Sequence, residues 1–275
     1  MPFARPALGS VEGLAGKRAS ARHSGGGSME NAALIGLSRQ IALGRELDVI
    51  ANNMANVSTN GYKARSSRFS EYLMPGASAG AFARADRRLS FVAEAGTALD
   101  VTAGAIERTG NPLDAAIKGD GFFVVRTPQG ERYTRNGAFS LDAQGRLVTS
   151  DGHAVMGDNG PITFSPQESG IEIGNDGTVS TTQGQRGKLR LVRFSDPQAL
   201  RNEGANVFSS SAPAQAAGNT SQVQSGSLER SNVKPVLEMS RLIDVNRSYT
   251  TVSSMLSRMD DLRRTAISRL ADANA

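Results

Sequence analysis

The sequence feature that most constrains the fold is an apolar stripe near the C-terminus. Apolar side chains recur between residues 242 and 270 at alternating steps of three and four, and Arg263 interrupts them. This spacing places the side chains on one face of an α-helix and is typical of a coiled coil. Pro235 suits the first turn of such a helix, and Glu238 complements its dipole. The stripe residues that we assign to a coiled-coil interface are Leu242, Val245, Tyr249, Val252, Leu256 and Met259.

A second helix is predicted from residue 34 to about residue 56. It carries one apolar face and, on roughly the opposite side, another made of Leu34, Leu37 and Ile41. A helix that is apolar on two sides needs at least two neighbours. The two long helices therefore pair with each other, with copies of themselves, or with both. The first face, which we also assign to the coiled-coil interface, consists of Leu43, Leu47, Ile50 and Met54.

The N-terminal helix ends in a segment rich in asparagine. Asparagine weakens a helix interior because its amide competes for backbone hydrogen bonds, and Asn60-Gly61 can supply the left-handed residue that closes a helix. The segment is then either a frayed helix end or a row of amides that hydrogen-bond to neighbouring chains. The residues that we assign to this assembly motif are Asn52, Asn53, Asn56, Thr59, Gly61, Tyr62 and Lys63.

The pattern between the two helices is typical of β structure. Residues 122–125 are a continuous apolar run, and Asn136-Gly137 and Asp151-Gly152 are strong hairpin signals. Gly174-Asn175-Asp176-Gly177 also reads as a hairpin turn rather than a calcium loop. Residues 209–227 are rich in Ser, Ala and Gln and are predicted to form a loop.

The predicted fold class is α+β, with N- and C-terminal helices paired as a coiled coil and an inserted, mainly antiparallel β domain. Residues 29–63 and 231–275 form the helical domain, residues 64–114 a connector with short strands, and residues 115–230 the β domain. Residues 1–28 are rich in Ala, Ser, Gly and Arg and are predicted to be a disordered extension or the result of a misassigned start.

Composition excludes several kinds of chemistry. The chain has no cysteine and two histidines, so thiol nucleophiles, disulfides, zinc-thiolate sites and multi-histidine metal sites are excluded. Basic residues are scattered, which argues against nucleic-acid binding, and no apolar run reaches the length of a membrane span. Residues 76–80 match G-x-S-x-G, which leaves a serine hydrolase acting through Ser78 as an alternative. We expect no enzymatic activity, catalytic residue, cofactor, metal or small-molecule substrate.

Four segments resemble the flagellar rod and hook protein family, in the same order and at the same spacing. They are ANNMANVSTNGYK at residues 51–63, NPLDAAIKGDGFFVV at 111–125, YTRNGAF at 133–139, and SNV, EM and LI within 231–243. The resemblance implies that the terminal helices pair in a coiled coil lining a helical tube, with the β domain outside it. It also implies a structural subunit of the basal-body rod that transmits torque from motor to hook.

Residues 29–40 are most similar to the proximal-rod members of that family, with a distal-rod member as the alternative. The implied partners are other proximal-rod and distal-rod subunits and the flagellar type III export apparatus. The implied location is the rod in the periplasm, reached from the cytoplasm without a cleaved signal peptide. A cell-surface adhesin with a coiled-coil stalk is a third class of function; it predicts oligomers without axial polymerisation.

Overall fold

The computed structural model describes residues 26–74, 89–204 and 206–273. Most of the predicted N-terminal extension and the segment containing Ser78 lie outside the described residues. Two α-helices, nineteen β-strands and short 3-10 turns at Pro197–Ala199 and Gly218–Thr220 make up the described part. In chain order these are α1 (Gly26–Ala55), β1 (Arg65–Met74), β2 (Leu89–Leu99), β3 (Ile106–Arg108), β4 (Ala115–Lys118), β5 (Phe122–Thr127), β6 (Gly130–Thr134), β7 (Phe139–Leu141), β8 (Leu147–Thr149), β9 (Ala154–Gly157), β10 (Gly160–Pro161), β11 (Glu172–Ile173), β12 (Thr178–Thr181), β13 (Gly184–Lys188), β14 (Leu191–Arg193), β15 (Leu200–Asn202), β16 (Val207–Ser210), β17 (Gln215–Ala216), β18 (Gln222–Ser225), β19 (Ser227–Glu229) and α2 (Pro235–Asp272).

The helices α1 and α2 lie side by side and run in opposite directions. Asn53, near the end of α1, contacts Glu238, near the start of α2. In the first half of α1, a Cβ at Gly36 would come within 2.8 Å of the Leu256 side chain, so this glycine allows a close approach of the helices. The described chain is therefore α+β with terminal helices and antiparallel strand pairs, as predicted.

Strands β1 and β2 form a two-stranded antiparallel ribbon that contacts α1. The ribbon pairs Arg65 with Leu99 at one end and Met74 with Leu89 at the other, with a bulge after Arg68. These strands, of 10 and 11 residues, are longer than the short strands expected between residues 64 and 114. The sequence of β1 is rich in Arg and Ser and lacks the strict apolar alternation from which a long strand is predicted. The pairing itself is made by backbone groups, which do not depend on that alternation.

Strand β5 is central to the β domain. It pairs with β6, β9 and β14 and is buried on both faces, which explains its continuous apolar sequence. Phe123 and Val125 enter one apolar cluster, whereas Phe122 and Val124 enter a second one on the other face. Edge-to-face ring contacts link Phe123 to Phe139 and Phe122 to Phe194 and Phe208.

The hairpin predictions have mixed outcomes. Asp151-Gly152 joins the paired strands β8 and β9, and residues 174–177 join β11 to β12, as predicted. The prediction for Asn136-Gly137 was wrong, since β7 pairs with β8 and not with β6. Asn136 Oδ1 instead accepts the Ala138 N–H, and Gly137 lies so close to the Ala115 carbonyl that a side chain would not fit. The dipeptide carries the chain past β4 rather than reversing it.

The prediction of a loop over residues 209–227 was wrong from residue 222 onward, where strands lie, whereas residues 211–214 and 217–221 lie outside strands as predicted. Strand β18 pairs with β4, and β19 pairs with β3. In β18, Val223 is buried between the exposed Gln222 and Gln224. One inward apolar side chain leaves too weak an alternation to be detected in the sequence.

Candidate functional site at the helix junction

The predicted assembly motif lies where the chain crosses from α1 to the β domain. The return crossing, from β19 to α2, runs beside it. Gly61 N–H donates to the Glu229 carbonyl at 2.7 Å, and Ala64 N–H donates to Asn232 Oδ1 at 2.7 Å. Asn232 N–H also donates to the Tyr62 carbonyl at 3.4 Å. The N-terminal motif and the C-terminal motif therefore meet within one chain, and we call this region the junction (residues 52–64 and 229–238).

Asn53 is buried at the centre of the junction and bonds through both ends of its amide. Its Oδ1 accepts the Arg65 N–H at 3.0 Å and the Tyr62 hydroxyl at 3.2 Å. Its Nδ2 donates to the Arg65 carbonyl at 2.8 Å and to Glu238 Oε2 at 3.3 Å. One side chain thus links the end of α1, the start of β1 and the start of α2. This amide faces groups of its own chain, contrary to the interpretation that it reaches a neighbour.

The other two amides of the row differ from Asn53. Asn56 Nδ2 donates to the Asn52 carbonyl at 2.8 Å, and Asn56 Oδ1 accepts the Thr59 hydroxyl at 3.1 Å. These bonds close the last turn of α1, as in a helix cap. The Asn52 side chain is exposed. Of the three amides, Asn52 is the one free to face a neighbouring chain.

Gly61 occupies a position that other residues fit poorly. Its φ is +68°, in the left-handed region, and a Cβ there would lie 2.4 Å from the Arg135 carbonyl carbon. Tyr62, which follows, is buried. The Asn-Gly pair therefore turns the chain at the end of α1 and lets it pass directly against the β domain.

A buried cluster of charges lies beneath this turn. Lys63 Nζ donates to Glu229 Oε1 at 2.6 Å and to the Thr102 carbonyl at 2.7 Å. Arg135 Nη1 donates to Glu229 Oε2 at 3.2 Å, and the Arg135 guanidinium lies 5.3 Å from the centre of the Phe122 ring. Burial lowers the pKa of Lys63, against the opposing effect of the Glu229 carboxylate, and burial likewise lowers the pKa of Arg135.

The sequence predicted Lys63 for this region, but not Glu229 or Arg135. Charged residues are mostly exposed, so a single Glu at the end of a short strand gives no signal of burial. Arg135 lies within the segment 133–139 that carries the family resemblance, and that position was the available hint.

The residues predicted for the coiled-coil interface lie on the two helices as follows. Ile50 and Val245 are buried, and the other eight are half-buried. The later stripe residues Arg263, Ala266 and Leu270 are exposed. Each helix also carries large apolar residues that its own chain leaves exposed. These outer apolar faces consist of Leu34, Leu37 and Ile41 on α1 and of Val236, Met239 and Ile243 on α2, each 48–81% exposed.

The described part of the chain holds neither a cluster of metal-ligating side chains nor a membrane-spanning helix. Within residues 26–74, 89–204 and 206–273, no group of three or more His, Asp or Glu side chains is placed to bind a metal ion. Neither α1 nor α2, the helices of that part of the chain, has the length and hydropathy of a membrane span.

Family models match three parts of the chain. Residues 34–63 match "Flagella basal body rod protein", residues 116–181 match "Flagellar hook protein FlgE/F/G D1 domain", and residues 224–269 match "Flagellar basal body rod FlgEFG protein C-terminal". The first and third matches contain most of each helix and nearly all of the junction. The second contains strands β5 to β12 of the β domain.

Several curated proteins are similar over most of their length. The flagellar basal-body rod protein FlgF of Caulobacter vibrioides is 38% identical over 251 residues, which cover 90% of this chain and 100% of that protein. FlgF of Escherichia coli is 35% identical, covering 78% of this chain and 87% of that protein. The rod protein FlgG of Bacillus subtilis is 34% identical, covering 79% and 90%. The chain therefore belongs to the flagellar basal-body rod protein family, and is a structural rod subunit rather than an enzyme.

Proposed function

We propose that this chain polymerises through α1 and α2 in the proximal part of the rod and there transmits torque from motor to hook. The observation that supports this most directly is the pair of outer apolar faces. Large exposed apolar surfaces mark sites of association, and one chain leaves these six side chains uncovered. Neighbouring subunits would cover them, with α1 and α2 paired as a coiled coil and the β domain outside.

The kind of relative supports the proposed position in the rod. Proteins named FlgF include the Caulobacter relative that aligns over its whole length, so the FlgF-like, proximal-rod role is favoured over the FlgG-like, distal-rod one. The proposed partners are other proximal-rod subunits and the distal-rod protein. We further propose export by the flagellar type III apparatus, without a cleaved signal peptide, and assembly in the periplasm.

The outer apolar face of α1 can be tested in a strain that lacks the gene. Leu37→Ser and Ile41→Ser would make this face polar without touching the junction. Leu141→Ser on β7 is a matched control, because Leu141 is 40% exposed and Leu37 is 48% exposed. We expect the α1 variants to be exported and to leave basal bodies without a complete rod, whereas the control swims normally.

Purified proteins distinguish an assembly defect from a folding defect. Replacing one exposed side chain changes the free energy of unfolding by less than about 0.5 kcal/mol, so all three variants should unfold like the wild type in urea. Full motility of the double variant Leu37→Ser/Ile41→Ser would contradict the proposal that this face binds a neighbour.

A further inference from the structure

One buried carboxylate joins several distant segments at the junction. Glu229 Oε1 accepts hydrogen bonds from Lys63 Nζ at 2.6 Å and from the Gly104 N–H at 2.9 Å, and Oε2 accepts one from Arg135 Nη1 at 3.2 Å. Lys63 leads into β1, Gly104 precedes β3, and Arg135 follows β6. The Glu229 carbonyl also accepts the Gly61 N–H. Glu229 therefore bonds to the crossing that leaves α1 and itself begins the crossing that enters α2.

Glu229 supplies the carboxylate that bonds to both buried cations, and the carboxylates of Asp100 and Asp120 attract Lys63 and Arg135 more weakly. The side chains of Lys63, Arg135 and Glu229 are 0%, 3% and 1% exposed. The other acceptors for the two cations are backbone carbonyls, such as those of Thr102 and Gly119, which carry no net charge. Removing the charge of Glu229 would leave two buried cations facing one neutral side chain, a costly arrangement in a low dielectric.

The consequence of that loss is expected to be local. Glu229 belongs to neither apolar cluster around β5, and these clusters hold the β domain by their own packing. Its link to them is Arg135, which lies over the Phe122 ring. The Lys63 side chain and the Gly61 backbone, in contrast, connect α1 to the β domain through Glu229. Repulsion between the cations is relieved when the junction opens and water reaches them.

We propose that Glu229 is a positioning residue that holds α1 and α2 in a fixed orientation against the β domain. Its charge fixes the two crossings to each other and to the loop after β6, and so sets the orientation of the helices. This positioning role is exerted within a single chain, and so the proposal goes beyond the proposed assembly into a rod.

Amide hydrogen exchange of the purified full chain, followed by mass spectrometry, tests this proposal. In Glu229→Gln, peptides from residues 56–64 and 230–238 should exchange roughly 100-fold faster or more, whereas peptides from β5 change less than about threefold. Glu107→Gln is a matched control, because Glu107 lies on β3, the strand paired with β19, and in its ion pair with Arg230 the two side chains are 56% and 45% exposed. Glu107→Gln should change the exchange rate of every peptide by less than about threefold.

A double variant tests the role of charge. In Lys63→Met/Glu229→Gln, one buried cation remains, and the Gln carbonyl can accept its hydrogen bond. The junction peptides should then exchange more slowly than in Glu229→Gln. If Glu229→Gln does not yield folded protein, Lys63→Met, which leaves Glu229 paired with Arg135, should show a smaller increase confined to the same peptides.

Three results would overturn the proposal. The junction peptides of the wild type could already exchange at the rate of an unfolded chain. Junction and β5 peptides could accelerate by the same factor in whichever of Glu229→Gln and Lys63→Met is folded, as in a global loss of stability. The double variant could exchange as fast at the junction as Glu229→Gln, which would show that the cations do not act through this carboxylate.

Discussion

Adjacent asparagines in the assembly motif should respond differently to the same substitution. Asn53→Ala would remove the acceptor for the Arg65 N–H and the Tyr62 hydroxyl, and the donor to the Arg65 carbonyl and Glu238. Asn52→Ala would remove an exposed amide. The pair is a matched comparison, since both positions lie in the last turn of α1.

The size of the difference follows from the groups left without partners. A buried donor or acceptor without a partner costs about 1–3 kcal/mol. Asn53→Ala leaves at least the Tyr62 hydroxyl and the Arg65 N–H without their partner, and it also opens a small cavity, so we expect a loss of about 2–5 kcal/mol. Asn52→Ala should change the free energy of unfolding by less than about 0.5 kcal/mol, in the stabilising direction, because alanine favours a helix.

Urea unfolding followed by far-ultraviolet circular dichroism measures both values. Equal slopes against urea in the two variants and the wild type would show that the comparison is one of stability rather than of compactness. A loss below about 1 kcal/mol for Asn53→Ala, or similar losses for the two variants, would refute the conclusion that Asn53 serves the fold of its own chain.

Three further predictions concern the same region. Gly61→Ala should lower the free energy of unfolding by more than about 2 kcal/mol, because it adds a clash with the Arg135 backbone to the strain of a left-handed φ. Gly110→Ala is the control, because φ there is +76° and the surrounding space is open. In the same unfolding experiments it should cost only the strain of about 1–2 kcal/mol. Burial lowers the folded-state pKa of Lys63 below its ordinary value of 10.5, so the unfolded chain binds more protons in the window just below pH 10.5 and stability there rises with pH. The free energy of unfolding of the wild type relative to Lys63→Met should accordingly increase as the pH rises toward 10.5; a flat or falling difference would show that burial does not penalise the charged lysine. Asn52→Ala should impair motility while the purified protein unfolds normally, and normal swimming would show that this amide binds no neighbour.

Periodic features of the sequence predicted both helices, although α1 begins at Gly26, before its predicted start at residue 34 and within the last residues of the predicted disordered extension. The stripe after Leu242 and the proline at residue 235 placed α2, because a helix repeats its pattern over many residues and its first turn has its own chemistry. The antiparallel β domain was also predicted, from turns such as Asp151-Gly152. In these cases the information is local, and neighbouring residues are enough to read it.

The arrangement of the junction depends instead on contacts between distant residues. Asn52 and Asn53 are the same amino acid, and only the packing of α1 against β1 and α2 decides which of them is buried. Glu229 bonds to Lys63, which lies 166 residues away in the sequence, and the residues next to either of them do not indicate that the two form a pair. Ribbon β1–β2 was underestimated for a related reason, since its ladder joins strands through backbone groups that every sequence has.

The adjacency of the two crossings also bears on how such a chain can change in evolution. Ala64 N–H and Asn232 Oδ1 are 2.7 Å apart, so everything from β1 to β19 leaves and re-enters the helical layer at nearly one point. Topologically, these residues are an insertion into a helical hairpin, and domains with close termini tolerate insertion and exchange. Outer domains of different size and shape can therefore be placed on the same pair of helices, provided that each restores the few bonds at its entry and exit.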